Sequence, residues 1–308
     1  MRAGKQKKKK KWLRVTGIVL LVLLVGIGIY GFSVYKSLTN AVETMHQPLD
    51  RKSDKRAGEV SLTNKQPFSV LMLGVDERKG DKGRSDTIIV LTVNPNNKSV
   101  KMLSIPRDTR TEIVGHGTVD KINHAYAFGN EEMSMNTVEN FLNIPIDYYV
   151  KVNMEGFKDI VDAVGGITVN NDLDFSQDGY HFPKGQVTLD GKKALAFTRM
   201  RHEDPRGDFG RQLRQREIIQ GILREGASLS SLTKYQSIFS ALGNNVRTNL
   251  SFDQMMEIQK NYKGAASKVE QMSITGNGTK INGIYYFIVP DQEKQSLQKE
   301  LRAQLELK

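Results

Sequence analysis

The chain has 308 residues, enough for one large domain with attachments, and it contains no cysteine. The lack of cysteine excludes disulfides, thiolate metal sites and a cysteine nucleophile. The net charge of +11 would suit a nucleic-acid partner, but eight of the 45 lysines and arginines lie in residues 1–14, where there is no acid. The remaining residues carry 37 basic and 34 acidic side chains. The high charge therefore belongs to the tail, and we expect no nucleic-acid partner for the main domain.

Residues 15–35 contain no charged side chain. As a helix this stretch would span roughly 30 Å, the thickness of a bilayer core, and Trp12, Tyr30 and Tyr35 flank it as interfacial aromatics do. The basic tail before it predicts a single-pass type II membrane protein, with residues 1–14 in the cytoplasm and the C-terminal domain extracellular. No small-x-small cleavage site ends the stretch, which favours an uncleaved signal-anchor over a signal peptide.

Residues 36–66 are polar and predict a linker, whose first part continues as a helix that Pro48 ends. The folded extracellular domain is predicted to extend from residue 67 to residue 308. Its strands read as continuous apolar runs, which predicts an α/β fold with a buried sheet and helices on both faces. We expect strands at 67–76, 86–93, 100–105, 148–152, 167–169 and 281–289. We expect helices at 121–129, 132–142, 154–164, 191–201, 229–243, 251–262, 291–307 and from 208, with Asp190 and Asp208 as N-caps and a loop at 171–187.

Residues 198–217 hold six arginines and no lysine. Arginine is the residue that grips phosphate or carboxylate with two parallel hydrogen bonds, although a surface ion-pair network would give the same composition. In the predicted helix, Arg211, Gln215, Ile218 and Ile222 share one stripe that is polar first and then apolar. That stripe indicates either a site with a charged mouth and an apolar interior or an ordinary helix facing the core.

Acidic side chains and further arginines lie near the ends of the first three predicted strands. Asp76 and Asp86 could share a hard cation such as Mg²⁺, which takes few protein carboxylates and leaves places for phosphate oxygens. Asp76 and Arg107 follow strands, whereas Asp86 begins one, so the two aspartates meet only if the second strand runs antiparallel to the first. Each aspartate could instead pair with a neighbouring arginine. There is no Walker loop, GxSxG elbow or HExxH motif, and zinc is not expected.

Six motifs in this order resemble the LytR–CpsA–Psr family of wall-polymer transferases: LGVDER, GRSDT, SIPRDT, DKINHAYAFG, VDAVGGITV and TRMRHEDPRGDFGRQLRQRE. The resemblance covers residues 67–308. It implies a three-layer α/β/α sandwich with a central mixed sheet and an apolar tunnel for a polyprenyl chain. It also implies transfer of an anionic phosphoglycan, such as wall teichoic acid, from a polyprenyl-diphosphate carrier to a muramic acid hydroxyl of peptidoglycan.

The resemblance also implies roles for individual residues. Mg²⁺ or Mn²⁺ would be held by Asp76 and Asp86, Asp208 would orient the arginines, and the lipid pocket would include Ile218 and Ile222. Weaker claims fall to Arg206, Arg214 and Arg216, the last of which could pair with Glu217 or solvent. The general base is left open between Asp76, Asp86 and Asp108. The diphosphate would be bound by Arg84, Arg107, Arg199, Arg201, Arg211 and Gln215, and the catalytic set would be Asp76, Arg107, Arg199, Arg201 and Asp208.

Three other functions fit the same residues: a polyprenyl-diphosphate hydrolase, a non-catalytic anchor that binds wall polymer, and a membrane-attached transcription attenuator. The predicted topology disfavours the attenuator, because it places the domain away from the chromosome. The expected partners are therefore the polyprenyl-diphosphate-linked glycopolymer, peptidoglycan and the membrane. The oligomeric state is left open.

Overall fold

The computed structural model describes residues 32–33, 35–76, 83–228 and 242–307. The strands in these ranges are β1 (Phe68–Val75), β2 (Ser85–Asn94), β3 (Ser99–Ser104), β4 (Arg110–Ile113), β5 (Thr118–Lys121), β6 (Tyr148–Val152), β7 (Ile167–Asn171), β8 (Phe175–Gln177), β9 (Tyr180–Phe182), β10 (Gly185–Leu189), β11 (Val246–Thr248), β12 (Val269–Met272), β13 (Asn277–Ile281) and β14 (Ile284–Ile288). The helices are α1 (35–45), α2 (His124–Leu142), α3 (Met154–Ala163), α4 (Gly191–Arg199), α5 (Asp208–Ser228), α6 (Phe252–Tyr262) and α7 (Asp291–Gln304).

A six-stranded mixed sheet forms the centre, in the order β11-β6-β1-β2-β3-β12. β1 pairs antiparallel with β2 and parallel with β6. β2 pairs antiparallel with β3, β12 pairs parallel with β3, and β11 pairs antiparallel with β6. The three N-terminal strands are those that the apolar runs predicted.

Both faces of the inner strands β1 and β2 are buried, which explains why these strands read as apolar runs. On β1, Leu71 and Leu73 face a cluster that includes α2 and α7, whereas Phe68 and Val70 face a cluster that includes α5 and α6. The same alternation holds for the neighbouring strand β2. The predicted α/β fold with a central mixed sheet and helices on both faces is therefore confirmed.

A third apolar cluster lies beside the sheet, between α3, α4, α5 and the small strands β7 to β10. Asp190 caps α4 as predicted, because its carboxylate accepts the Lys193 backbone N–H at 2.8 Å. The loop predicted at 171–187 was wrong. Its residues form β8 and β9, joined by Asp178 and Gly179 with φ of 50° and 80°, and the start of β10. A two-residue turn of this kind favours a hairpin, and strands of three residues leave little periodicity to detect.

The single strand predicted at 281–289 was also wrong, because the chain reverses within it. Asn282 and Gly283 adopt φ of 50° and 80° and connect β13 to β14 as an antiparallel hairpin. Asn-Gly is the dipeptide most typical of a two-residue hairpin turn, so the signal was present in the sequence.

Part of the segment 36–66 packs onto the domain. Leu38, Val42 and Met45 of α1 are buried against a cluster that includes Leu242 and Val246. Further along the segment, two arginines form buried or half-buried ion pairs with the domain, Arg51 with Glu139 at 3.0 Å and Arg56 with Asp147 at 3.1 Å.

Within the described ranges, every helix is too short or too polar to cross a bilayer. The span predicted at 15–35 lies outside those ranges, apart from residues 32, 33 and 35, and most of the helix predicted at 229–243 lies outside them too.

Candidate functional site

The pairing of β1 with β2 sets the positions of the two aspartates expected at the metal site. The strands run antiparallel, and Val75 lies opposite Ser85, so Asp76 and Asp86 come from adjacent strand ends. The register shifts between Gly74 and Val75. This is the strand direction that a shared site for the two carboxylates requires. Among the described residues, no set of three or more His, Cys, Asp or Glu side chains is placed to hold a metal ion.

Arg107 follows β3 and reaches this edge of the sheet. Its Nη1 donates to Asp86 Oδ1 at 2.8 Å, and its Nε lies 3.8 Å from Asp108 Oδ2. On the far side, Lys121 Nζ donates to Asp108 Oδ1 at 2.6 Å. Burial lowers the pKa of Arg107, but Asp86, Asp208 and Asp108 together raise it above the ordinary value. The guanidinium is therefore charged and is held between Asp86 and Asp108. Lys121, which contacts Asp108, had been given no site role from the sequence.

Asp208 begins α5 and is not its N-cap, which corrects the prediction. Its carboxylate pairs with Arg211 and accepts from Gln212 Nε2 at 3.0 Å, both within the first helical turns. Because Asp208 is already the first helical residue, it stands one position after the residue whose side chain would cap the helix. The expectation that Asp208 orients an arginine agrees with its contact to Arg211.

The charges of Arg107 and Arg201 both act on Arg211. Burial lowers its pKa, Asp208 opposes that shift, and the charges of Arg107 and Arg201 lower the pKa further. Its Nε is buried and has no hydrogen-bond partner among the described residues. An unpaired, buried guanidinium nitrogen beside two other arginines is a site that an anion would complete.

The other residues of the predicted diphosphate site form fewer contacts. Gln215 Nε2 donates to Thr87 Oγ1 at 2.9 Å and so ties α5 to β2 one residue after Asp86. Arg199, the last residue of α4, is half-exposed and lies 3.6 Å from Asp178. In the part of the chain that the structure describes, neither Arg84 nor Arg201 forms an ion pair or hydrogen bond.

Ile218 and Ile222 continue the stripe of Arg211 and Gln215 into the apolar cluster between α4 and α5. Ile218 is fully buried there and Ile222 is half-buried. The polar and apolar parts of the predicted stripe are thus both present on α5.

Two other arginines of the same stretch, the buried Arg214 and the exposed Arg206, form a charge cluster around the buried Asp204. Arg214 is 1% exposed, and its Nη1 donates to Asp204 Oδ2 at 2.6 Å. Arg206 donates to Asp204 at 2.9 Å and to Asp172 at 2.6 Å. Burial raises the pKa of Asp204, but the hydrogen bonds from the two arginines outweigh it and hold this pKa well below the usual range. The cluster is packed against α5, because a Cβ at Gly210 would lie 1.9 Å from Asp204 Oδ2.

Arg216 does not pair with Glu217 as considered from the sequence. It is buried, and its Nε donates to Gln271 Oε1 at 3.1 Å. Burial, together with the charge of Asp172, raises the pKa of Glu217 to about 7. Three of the six arginines in residues 198–217, Arg206, Arg214 and Arg216, are therefore held by partners outside the predicted diphosphate set.

The chain matches the family model described as "LytR_cpsA_psr family" over residues 32–303. The chain belongs to the LytR_cpsA_psr family. The family resemblance of the motifs is thereby confirmed, and the match begins at residue 32, ahead of α1 and of the predicted domain start.

Relatives of this LytR_cpsA_psr member include the polyisoprenyl-teichoic acid–peptidoglycan teichoic acid transferase TagU of Bacillus subtilis (strain 168). It is 55% identical over 304 residues, which cover 98% of this chain and 99% of the relative. The crystal structure of B. subtilis TagU matches with a TM-score of 0.66 and covers 79% of this chain and 99% of that one. The structure of TagT bound to LI-WTA matches at 34% identity with a TM-score of 0.72, covering 85% of this chain and 100% of that one.

Proposed function

We propose that this protein transfers teichoic acid from a polyprenyl-diphosphate carrier to peptidoglycan. The observation that carries this proposal is the convergence of Arg107, Arg201 and Arg211, with a buried guanidinium nitrogen left unpaired, at the edge of the sheet. A relative that is 55% identical over nearly the whole chain carries the name of this activity. The dianionic diphosphate that joins the polyprenyl chain to the polymer is a ligand that such a cluster would bind.

The reaction is a phosphoryl transfer in which an acceptor hydroxyl attacks the phosphorus that carries the polymer. The new phosphorus–oxygen bond makes a phosphodiester between polymer and peptidoglycan. The bond from this phosphorus to the bridging oxygen of the diphosphate breaks, and polyprenyl phosphate leaves. The hydroxyl proton passes to one of the carboxylates Asp76, Asp86 or Asp108. Such a transfer needs positioning and charge stabilisation more than covalent chemistry from the protein. Arg107, held by Asp86 at 2.8 Å, supplies a charge that does not have to reorganise.

Asp76 and Asp86 fit a divalent cation, because two carboxylates at adjacent strand ends leave most positions of Mg²⁺ or Mn²⁺ for phosphate oxygens. When bound, the cation would neutralise part of the charge on the diphosphate. Arg84, Arg199 and Gln215 complete the proposed diphosphate site, with Asp208 orienting Arg211. The polyprenyl chain would lie along Ile218 and Ile222, where α5 becomes apolar.

We also propose that residues 15–35 anchor the protein in the cell membrane. Residues 1–14 then lie in the cytoplasm and residues 67–308 outside, as a type II topology requires. The anchor would keep the site near carriers that are themselves confined to the bilayer. A reporter fused after residue 66 should be active only outside the membrane, and activity in the cytoplasm would overturn this topology.

The decisive assay supplies the full chain in detergent with polyprenyl-diphosphate-linked teichoic acid and a soluble peptidoglycan oligomer. We expect a covalent polymer–peptidoglycan product and one polyprenyl phosphate for each link formed. Release of unlinked polymer phosphate would identify a hydrolase, and binding without turnover would identify a non-catalytic anchor. Either result would refute the proposed transfer.

A further inference from the structure

Two aromatic side chains beside the arginine cluster are exposed to an unusual degree. Phe209 is 43% exposed and directly follows Asp208 at the start of α5. Tyr285 is 46% exposed and lies on β14 of the C-terminal hairpin. Exposed large aromatic side chains that lie close together next to a site commonly mark a binding surface.

The C-terminal hairpin is attached directly to the loop that carries Arg107. The Phe287 backbone N–H donates to the Asp108 carbonyl at 2.9 Å, and Thr109 and Phe287 form a parallel β-bridge. The Phe209 ring packs edge-on against the Phe287 ring, with centroids 5.6 Å apart. The hairpin and the start of α5 thus meet at the edge of the site.

Strand alternation places Tyr285 on the same face of the hairpin as Phe287. The Tyr285 side chain lies across the backbone of Gly278, where an added Cβ would come within 2.5 Å of the tyrosine oxygen. Phe287 itself is only 3% exposed and links the two exposed rings, so we call Phe209, Tyr285 and the hairpin face between them the aromatic shelf. It starts next to Asp208 and extends outward along the hairpin.

A basic side chain lies at the rim of the aromatic shelf. Lys280 is exposed and pairs with Tyr285 across the hairpin. Arg110 is exposed too, but its guanidinium lies 5.9 Å from the centroid of the Tyr286 ring, on the opposite face of the hairpin. The surface offers flat apolar rings together with positive charge.

We propose that the aromatic shelf binds the acceptor glycan strand of peptidoglycan, an inference that rests on the proposed transfer reaction. Aromatic rings stack on the apolar C–H faces of sugar rings, and exposed Tyr can also hydrogen-bond to hydroxyls. The lactyl and stem-peptide carboxylates of the strand would meet Lys280. The Phe287 backbone contacts Asp108, which is adjacent to Arg107 in the chain. A sugar bound on the shelf would therefore lie next to the diphosphate, within reach for its hydroxyl to attack.

The test compares two exposed residues on opposite faces of one strand. Tyr285→Ser removes a ring of the shelf, whereas Ile284→Ser removes a side chain that is 51% exposed on the other face. The full chain in detergent is measured for co-sedimentation with purified sacculi, and for the KM of the peptidoglycan oligomer and of the lipid-linked donor. Tyr285→Ser should weaken sacculus binding and raise the acceptor KM about tenfold, with the donor KM unchanged, while Ile284→Ser stays at wild type. Tyr285→Trp should restore binding, because it keeps a ring at this position.

The outcomes separate the shelf from the transfer reaction itself. Sacculus binding by Tyr285→Ser at the wild-type level, or an equal loss in Ile284→Ser, would overturn the shelf even if transfer proceeds. A rise in the donor KM alone would identify a lipid surface and would overturn it as well. If wild type and variants show no transfer but sacculus binding still separates the two serine variants, the shelf stands and the proposed transfer fails.

Discussion

Replacing Asp204 by Asn tests whether the charge cluster beside the site holds α5 in place. Arg214 is 1% exposed and donates to Asp204 Oδ2 at 2.6 Å, so the substitution leaves a buried guanidinium without its counter-charge. Removing one partner of a buried ion pair costs about 3–5 kcal/mol. Because Asn keeps one acceptor oxygen, we expect a loss of about 2–4 kcal/mol in the free energy of unfolding. For a domain of this size that loss lowers Tm by about 5–15 °C.

The matched control is Asp172→Asn, which removes another carboxylate that Arg206 contacts. Asp172 is 49% exposed, so its ion pair should contribute only about 0–1 kcal/mol. Tm is measured for wild type and both variants at pH 7, with the full chain in the same detergent. If Asp204→Asn melts within 2 °C of Asp172→Asn, the buried pair does not hold the fold and our reasoning is wrong.

The pH dependence gives a second readout for the same variant. The folded-state pKa of Asp204 is lowered below the ordinary 3.8. Its contribution to stability is therefore present above pH 3.8 and is lost as pH falls through the folded-state pKa. The difference in Tm between wild type and Asp204→Asn should be full at pH 7 and should shrink only below pH 3.8.

Three further predictions address the site. Arg107→Ala should lower kcat/KM for transfer about 10²-fold. Arg224→Ala, at an exposed arginine near the C-terminal end of α5, should leave it unchanged. Equal effects would argue against a role of Arg107 at the diphosphate. Burial raises the pKa of Glu217 to about 7 from 4.5, so the folded protein keeps a proton that the unfolded chain releases, and stability should fall as pH rises through this window. Glu217→Gln should remove that part of the slope, measured as urea midpoints at pH 5 and pH 8, and an unchanged difference between the midpoints would contradict it. Asp86→Asn should raise the Mg²⁺ concentration for half-maximal transfer at least about tenfold, and an unchanged titration would exclude Asp86 from the metal site.

Several parts of the molecule could be read from the chain because they depend on neighbouring residues. The apolar runs of β1, β2 and β3, buried on both faces, carry their own signal. The cap of α4 at Asp190 and the capping box at Ser251 of α6 involve residues three apart in the sequence. Asn282-Gly283 was a local signal too, although the continuous apolar run after it concealed the turn.

Tertiary structure alone decided which arginines pair with buried carboxylates and which lie at the proposed site. In the sequence, Arg206, Arg211 and Arg214 have the same chemistry within one short stretch, and spacing does not separate them. In the fold, Arg214 and Arg206 pair with Asp204, whereas Arg211 shares its environment with Arg107, which is far away in the chain.

The physical reason is that a charged side chain takes its role from partners brought to it by strand register and helix docking. Gln215 meets Thr87 across 128 residues of chain because α5 lies over the sheet, and Phe287 meets Asp108 because the C-terminal hairpin packs on the same edge. The sequence by itself determined the family, the sheet and the chemistry available to the site. Only the tertiary structure decided which arginines remain available for an anion and which surface lies beside them, because burial and long-range pairing have no local signature.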